Sequence, residues 1–434
     1  MATDRHGHSR GAVLSAFDRA KRLFAELAEI SADPPGVTRA SFGPLESAAH
    51  DLIRREAEHI GLEHRADSIG NLYVTLPGQD RTAPVLMTGS HLDSVPHGGN
   101  YDGAAGVLAG LYMLEQLARG PQPPCDITLM AIRAEEMIWF PEHYLGSRAA
   151  FGLLPKDAPE RVKRSDTGRT LADHMTEAGF DPQAIRDGKA HLDPRRIRAF
   201  VEVHIEQGSI LVEARKPIGI VTGIRGNIRH RFASIMGETT HAGGVPRRGR
   251  RDTVMAGAEL VATLESWWLQ TENSGGDMVL TIGEFSTDPA QHGITKVPGH
   301  LGFTLDMRSQ DSNILDQFDH FLQSTVAKIT TRRGVSIDLG PATRAAPAPM
   351  TAAIQTGLIE AARHYGAEQI SLPSGGGHDC ATFAEMGVAA GMLFIRNENG
   401  SHNPDEYMAL EDFLCAAEVL TQWARKAVWS KLWR

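Results

Sequence analysis

The segment 89–103 constrains the fold of this chain more than any other, because it joins a strand pattern to a helix pattern through metal-binding residue types. An apolar run at 84–88 precedes it, and residues 104–117 after it carry apolar side chains at helical spacing. His91 is therefore predicted to lie where a strand ends, and Asp102 where a helix begins. In an open α/β sheet, ligands bind beyond the carboxyl ends of the strands. Because imidazole and carboxylate groups suit first-row divalent metals, the segment indicates a metal site.

A second carboxylate in this segment is Asp93, which follows His91 by two residues. It is predicted to accept the second ring N–H of His91 and so to fix the tautomer of that ring. The alternative interpretation of the segment is a glycine-rich loop with polar side chains at the surface, and the segment alone leaves both open.

The size and composition of the chain limit the class of protein to which it can belong. Its 434 residues are many for one domain and predict two, and 41% hydrophobic with 22% charged residues is typical of a globular protein. A net charge of −9 without a long basic run argues against nucleic-acid binding. No run of about 18 apolar residues occurs, so we expect no membrane span. Three scattered cysteines and a polar N-terminal stretch favour a reducing, cytoplasmic location.

The first part of the chain, 1–213, alternates strand and helix patterns, which predicts a mixed, mostly parallel sheet covered by helices. The helix patterns lie at 13–30, 43–60 and 104–117, and the strand patterns at 71–76, 84–88, 126–133 and 198–204.

After residue 213 the pattern changes to β-α-β-β-α-β, which predicts a smaller α+β domain at 214–343 inserted into the first. The α/β pattern resumes in 344–434, with helices at 352–365 and 410–432 and a strand at 389–395. Within the insertion, strands are predicted at 218–224, 228–236, 278–285, 300–308 and 335–339, and helices at 252–271 and 313–331.

Six candidate ligands fall at one edge of the predicted sheet, because each lies at a strand end, in the loop after a strand or at a helix start. They are His91, Asp102, Glu135, Glu136, His204 and His402. This set suffices for two divalent metals bridged by one carboxylate. For any one histidine alone, the alternative is a loop histidine with an ordinary hydrogen bond.

The adjacent Glu135 and Glu136 are predicted to differ in role, because consecutive residues that leave a strand point in different directions. One can bind a metal while the other serves as general base and later as general acid to the leaving nitrogen. The alternative is a pair of surface glutamates at the end of a strand.

Seven motifs extend along nearly the whole chain in one order. They are Gly89-Ser90-His91-Leu92-Asp93-Ser94 with Asp102-Gly103, Glu135-Glu136, Val203-His204-Ile205-Glu206-Gln207-Gly208, Thr240-His241-Ala242-Gly243-Gly244-Val245-Pro246, Leu305-Asp306-Met307-Arg308-Ser309, Ser374-Gly375-Gly376-Gly377-His378-Asp379 and Gly400-Ser401-His402-Asn403. With these motifs the chain resembles the M20 family of metal-dependent amidohydrolases and peptidases. Within that family it resembles the hydantoinase/carbamoylase branch, because a histidine at the position of His204 is specific to that branch.

The resemblance implies a catalytic domain with two divalent metal ions per subunit and an inserted dimerisation domain. It implies that Asp102 bridges the metals and that Glu135 is the base. His91 and His204 would complete one metal site, and Glu136 and His402 the other. It further implies that Gln207 and His378 line the site, and that His241 and Arg308 close over the substrate, the first at the oxyanion and the second at a carboxylate.

Two stretches depart from the branch. Met137-Ile138-Trp139-Phe140 replaces the usual Gly-x-Arg-Phe after the glutamate pair, and Thr295 stands in a run where the branch often has a substrate-binding asparagine. Neither departure touches a proposed ligand. The bulk of Met137 and Trp139 therefore predicts a reshaped substrate pocket.

The expected function is hydrolysis of a C–N amide or ureido bond in a small carboxylate substrate by a homodimeric metalloenzyme. The first candidate is conversion of an N-carbamoyl-L-amino acid to the amino acid, carbon dioxide and ammonia. The alternatives are an allantoate or β-ureidopropionate hydrolase, an aminoacylase or dipeptidase, and a metal-binding dimer without catalysis. Zinc is the first expectation for the metal, and manganese, cobalt and nickel suit the same ligands.

Overall fold

The computed structural model describes residues 15–429. The helices are α1 (Ala16–Ile30), α2 (Pro44–Ile60), α3 (Ala104–Ala118), α4 (Leu145–Ala150), α5 (Ala158–Arg161), α6 (Leu171–Glu177), α7 (Gln183–Arg186), α8 (Ile210–Ala214), α9 (Thr253–Asn273), α10 (Ser312–Arg333), α11 (Ala352–Tyr365), α12 (Cys380–Glu385) and α13 (Leu410–Trp429). The strands are β1 (Ala32–Asp33), β2 (Gly36–Val37), β3 (Glu63–Ala66), β4 (Leu72–Leu76), β5 (Val85–His91), β6 (Ile127–Ile132), β7 (Ile197–Ile205), β8 (Ile218–Ile224), β9 (Gly226–Met236), β10 (Thr240–His241), β11 (Val279–Thr281), β12 (Phe285–Thr287), β13 (Lys296–Val297), β14 (His300–Ser309), β15 (Ser336–Asp338), β16 (Ala342–Ala345), β17 (Ala348–Pro349), β18 (Gln369–Ser374) and β19 (Ala390–Ile395).

Two compact units make up the described chain. The larger comprises residues 15–222, Met350–Leu372 and residues 378–429, and the smaller comprises Gly223–Pro349 and Pro373–Gly377. The smaller unit thus interrupts the larger one in sequence.

The sheet of the larger unit has the strand order β8-β19-β7-β5-β6-β4-β3, with β18 also pairing β8. Its four central strands, β19, β7, β5 and β6, are parallel, and β8 and β4 flank them in the antiparallel sense. These parallel strands are almost wholly buried, as expected for strands covered on both faces. The predicted mixed, mostly parallel sheet is therefore confirmed.

Helix α3 covers this sheet and brings its own N-terminus to the carboxyl ends of the strands. Most of its side chains are buried. At Gly106 a Cβ atom would lie 1.9 Å from the carbonyl oxygen of Val203 on β7, so only glycine permits this close approach. Helix α2 ends at Ile60 and is followed by Gly61 with φ +82°, a left-handed conformation that favours glycine.

The smaller unit is a two-layer α+β structure whose sheet has the order β11-β14-β9-β15, with β12 pairing β14 and β16 pairing β9. Along β14, buried residues alternate with partly exposed or exposed ones, and the buried ones pack in a core with helices α9 and α10. The predicted strand 278–285 is wrong as a single element. It is divided into β11 and β12, and the partner strand β14 carries a register shift between Phe303 and Leu305.

One strand assigned to the insertion belongs elsewhere. Strand β8 pairs antiparallel with β19, with Ile218 opposite Ile395, and so extends the sheet of the larger unit. Its apolar pattern is correct, but periodicity does not specify the partner strand.

The short helices α4 to α7 lie between β6 and β7 and were not predicted. They surround a separate apolar cluster that includes Trp139, Phe140 and Leu171. The ends of two predicted helices, 13–14 and 430–432, lie outside the described residues. Among residues 15–429, no helix has the length and apolar character needed to cross a membrane.

Candidate metal centre

The six candidate ligands lie at the carboxyl edge of the four parallel strands. His91 ends β5, His204 is the penultimate residue of β7, and Glu135 and Glu136 follow β6 closely. His402 lies in the loop after β19, and Asp102 lies two residues before α3. Between Asp102 and the helix stands Gly103 with φ +65°, where a Cβ atom would lie 2.5 Å from the His91 ring. Glycine therefore lets the turn approach that imidazole.

The first ligand group is His91, Asp102 and His204, all buried. Asp102 Oδ1 lies 3.0 Å from His204 Nε2 and 3.5 Å from His91 Nε2, and the two imidazole Nε2 atoms are 3.4 Å apart. The other ring nitrogen of each histidine faces a backbone carbonyl, Asp93 O at 3.0 Å and Ile205 O at 2.9 Å. These two carbonyl partners orient the Nε2 atoms of both histidines toward Asp102.

The second ligand group is Asp102, Glu136 and His402. His402 Nε2 lies 3.3 Å from Asp102 Oδ2 and 3.6 Å from Glu136 Oε1. His402 has φ +61° and a half-exposed side chain, unlike the buried histidines on the strands. Asp102 is common to both groups and presents one oxygen to each.

Asp102 carries the strongest local indication of a cation. Its Oδ1 atom is buried and has no hydrogen-bond partner, although buried carboxylate oxygens normally have one. Burial acts to raise the pKa of Asp102, but His204, His402 and His91 hold it well below its usual range. An anionic oxygen without a proton donor, between imidazole nitrogens, suits a divalent metal site.

The carboxylate of Glu135 lies beside this centre, with Oε2 3.9 Å from His91 Nε2. Burial raises its pKa well above the usual range, and the Glu136 carboxylate adds to that effect while His91 opposes it. Burial likewise raises the pKa of Glu136 to about 7, with Asp102 contributing. Two crowded carboxylates of this kind favour either a shared proton or a cation.

The Asp93 carboxylate lies beside the second ring nitrogen of His91, as predicted, and it also has contacts that were not predicted. Asp93 Oδ1 lies 3.4 Å from His91 Nδ1, whereas the backbone oxygen of Asp93 lies closer to that nitrogen, at 3.0 Å. The carboxylate also accepts hydrogen bonds from the backbone N–H of Glu135 at 3.1 Å, from that of Glu136 at 3.0 Å, and from the hydroxyl of Ser41 at 2.6 Å. Asp93 therefore fixes the main chain of the glutamate pair.

Arg39 was not identified from the sequence. Its side chain is fully buried, with Nε donating to Leu92 O at 2.6 Å and Nη1 to Ser31 Oγ at 3.0 Å and Asn100 Oδ1 at 3.2 Å. Burial lowers its pKa, while the nearby Asp93 carboxylate opposes that shift. Arg39 thus anchors the loop between β5 and α3, and no motif spacing near residue 39 signals this role.

Gln207 and His378, predicted to line the site, both lie next to it. Gln207 Nε2 donates to Asp102 Oδ2 at 2.8 Å, and its own backbone has φ +63°. The buried His378 ring lies 4.4 Å from the His204 ring, centroid to centroid. Burial lowers the pKa of His378 well below its usual value and so favours the neutral imidazole.

His241 lies in the smaller unit, in the two-residue strand β10 that pairs with β13. Its Nδ1 accepts the backbone N–H groups of Gly243 at 3.1 Å and Gly244 at 2.9 Å. An imidazole that accepts at Nδ1 carries its proton at Nε2. The exposed ring therefore presents an N–H donor, as stabilisation of an oxyanion requires.

Arg308 also lies in the smaller unit, on β14. Its Nη2 donates to Asp306 Oδ2 at 2.8 Å and its Nη1 to Gly375 O. The side chain is 30% exposed, so part of the guanidinium faces solvent.

The two departures from the branch pattern differ in their surroundings. Trp139 is buried, and its Nε1 donates to Ser94 O at 2.7 Å, so it belongs to the apolar cluster of the short helices. Met137 is only partly buried, directly after Glu136. In the smaller unit, Thr295 is exposed, and its carbonyl oxygen accepts the N–H of Ala242 at 2.7 Å.

Comparison with known proteins gives consistent results. The model of the Peptidase family M20/M25/M40 matches residues 87–426. The chain is 35% identical over 406 residues to the N-carbamoyl-L-amino acid amidohydrolase of Geobacillus stearothermophilus, covering 93% of this chain and 96% of that protein. It is 32% identical over 409 residues to the allantoate amidohydrolase of Escherichia coli (strain K12), with the same coverage.

The structural comparison extends this similarity to the whole fold. The crystal structure of an amidase of the hydantoinase/carbamoylase family from Burkholderia multivorans superposes with a TM-score of 0.86 at 28% identity, covering 97% of this chain and 100% of that one. The chain therefore belongs to the Peptidase family M20/M25/M40 and to its hydantoinase/carbamoylase branch, which confirms the resemblance and the expected enzyme class, a hydrolase.

Proposed function

We propose that this protein is a binuclear metal-dependent amidohydrolase that cleaves a carbamoyl or ureido C–N bond in a small substrate with a carboxylate. The observation that carries the proposal is Asp102, whose two oxygens face separate ligand groups and whose Oδ1 has no proton donor. A bridging carboxylate with histidine and carboxylate ligands on either side is the arrangement that a two-metal hydrolase needs.

The residues of this chain have separate roles in the proposed reaction. His91 and His204 would hold one ion, Glu136 and His402 the other, and Asp102 both. When bound, the ions would supply Lewis-acid chemistry to the scissile carbonyl and would lower the pKa of water. Glu135 would take a proton from the attacking water on its carboxylate and return it to the leaving nitrogen, because it lies beside the ligand groups with its Oε2 3.9 Å from His91 Nε2.

The substrate is assigned by chemistry and by relatives together. Arg308 would pair with the substrate carboxylate, and His241 would donate from Nε2 to the developing oxyanion. The N-carbamoyl-L-amino acid amidohydrolase at 35% identity favours an N-carbamoyl-L-amino acid. The allantoate amidohydrolase at 32% identity supports allantoate as the second candidate.

A substrate panel on metal-reconstituted protein tests this proposal. The protein is stripped with a chelator and reloaded separately with Zn²⁺, Mn²⁺, Co²⁺ and Ni²⁺. It is then assayed with N-carbamoyl amino acids, allantoate, β-ureidopropionate, N-acyl amino acids and dipeptides. We expect ammonia release from a carbamoyl substrate only after reloading. Turnover of dipeptides alone, or no turnover with any metal, would overturn the assignment.

We further propose a homodimer formed through the smaller unit. Exposed apolar side chains on its strand β9 and helix α9 support this, notably Phe232, 75% exposed, Leu269, 55%, and Met255, 52%. Light scattering at micromolar concentration is expected to give twice the chain mass. A fully active monomer would contradict this assembly.

A further inference from the structure

Glu406 is a buried carboxylate that the chemistry described so far does not use. The residue is 6% exposed and forms no direct salt bridge within residues 15–429, although the buried Arg39 guanidinium interacts with it electrostatically. Burial of a carboxylate without a cation is unfavourable unless strong hydrogen bonds compensate. Its contacts therefore indicate what it holds in place.

Glu406 Oε1 binds the main chain of the turn that carries Asp102. It accepts the backbone N–H of Tyr101 at 2.9 Å and of Asp102 itself at 3.2 Å. Gly99 leaves room for this contact, because a Cβ atom there would lie 2.2 Å from the Glu406 carboxyl carbon. One carboxylate oxygen thus fixes the backbone of the residue shared by both ligand groups.

The other oxygen of Glu406 reaches the side chain of the same aspartate through Ser401. The Ser401 hydroxyl lies 2.5 Å from Glu406 Oε2 and 2.6 Å from Asp102 Oδ2. Ser401 immediately precedes His402 in the chain. The link therefore joins the loop that supplies His402 to the turn that supplies Asp102.

We propose that Glu406, acting through Ser401, is a positioning residue that sets the distance between Asp102 and His402 and so builds the second metal position. This inference rests on the proposed two-metal function. It predicts an unequal effect on the two positions. His91 and His204 stand on buried strands and keep their geometry, whereas His402 is half exposed on the loop that Glu406 holds.

Metal binding in the absence of substrate tests the proposal. Apo-protein is titrated with Zn²⁺ and, separately, Mn²⁺ by calorimetry, and bound metal is counted by mass spectrometry after gel filtration. For Glu406→Ala we expect the ion held by Glu136 and His402 to bind about 10- to 100-fold more weakly, the usual effect of losing a partner that orients a ligand, and the other ion, which shares Asp102, to be weakened distinctly less. Ser401→Ala should weaken the same ion by less, because the two backbone contacts to Glu406 persist.

Two variants separate positioning from a general structural defect. Glu406→Gln keeps an acceptor for the two backbone N–H groups and a polar partner for Ser401, so it should restore both affinities. Asp405→Ala removes an exposed neighbouring carboxylate and should leave both affinities unchanged.

The outcomes also separate the two proposals. Two ions bound by Glu406→Ala with wild-type affinities would overturn the positioning role and leave the two-metal function intact. Equal weakening of both ions would overturn it as well. A wild-type protein that binds no divalent ion would overturn the proposed function, and the positioning role with it.

Discussion

The carboxyl edge of the larger sheet and the candidate residues of the smaller unit differ in how their side chains are held. His91, Asp102 and His204 are buried and touch one another. His241 is exposed, Arg308 is partly exposed, and the partners of each lie within the smaller unit: the backbone N–H groups of Gly243 and Gly244, and the Asp306 carboxylate with Gly375 O.

The two regions therefore differ in whether their polar groups already have hydrogen-bond partners. The buried cluster brings carboxylates and imidazoles together and has one carboxylate oxygen without a hydrogen-bond partner, so it suits a divalent cation. The exposed pair already has hydrogen-bond partners within the smaller unit, and under the proposed function its remaining donors would bind the substrate. Variants of the proposed ligands in the first region should therefore change metal content, whereas variants of Glu135 and of the second region should change only kinetics.

The largest effect is expected for Asp102→Ala. Removal of the residue common to both ligand groups should abolish bound metal and, with it, all measurable turnover. Metal analysis of the purified variant against the wild type checks this. If the variant retained two equivalents of metal, Asp102 would not be a ligand, and the proposed difference between the two regions would be wrong.

Glu135→Gln should keep the metal and lose turnover by roughly 10²- to 10⁴-fold, or more because one group acts twice. The reason is that Glu135 stands beside the ligands in the buried cluster while its proposed task is proton transfer. Steady-state kcat and metal content are measured on one preparation. A kcat near that of the wild type would transfer the base to another residue.

The two smaller-unit variants should keep full metal content. His241→Ala should lower kcat by about 10²- to 10³-fold, the usual result of losing one oxyanion donor, or about 2.7–4 kcal/mol. Arg308→Ala should mainly raise KM, because a carboxylate contact is made equally in ground and transition states. Arg308→Lys should restore little, since an ammonium lacks the planar fork. An unchanged KM in Arg308→Ala would place carboxylate recognition elsewhere.

The smallest kinetic effect is expected for Trp139→Phe. The substitution removes the donor to Ser94 O, and an unpaired buried carbonyl costs about 1–3 kcal/mol of folding stability. Thermal unfolding should show the loss while the order of preferred substrates stays the same. Met137→Gly is the comparison, because Met137 is partly exposed beside Glu136 and should change that order. A changed order in Trp139→Phe would return Trp139 to the substrate pocket.

Much of the fold was accessible from sequence because its signals are local. Apolar runs of strand length and helical periodicity depend on neighbouring residues, and they identified β5, β6, β7, β19 and α3 with small errors at the ends. Because parallel strands present their carboxyl ends at one edge, the same signals predicted that His91, Glu136, His204 and His402 converge. The placement of β8 in the larger sheet was missed, since its apolar pattern does not specify a partner.

The supporting contacts were decided only by the tertiary structure. Glu406 accepts a hydrogen bond from the backbone of Asp102, 304 positions away in sequence. Gln207 donates one to the side chain of Asp102, 105 positions away. Asp93, Arg39 and Glu406 have the residue types of ordinary loop or surface positions, and no periodicity marks them. The sequence by itself determined which residue types reach the sheet edge. The folded chain decided which buried groups orient them, because hydrogen-bond partners and burial depend on contacts between segments far apart in sequence.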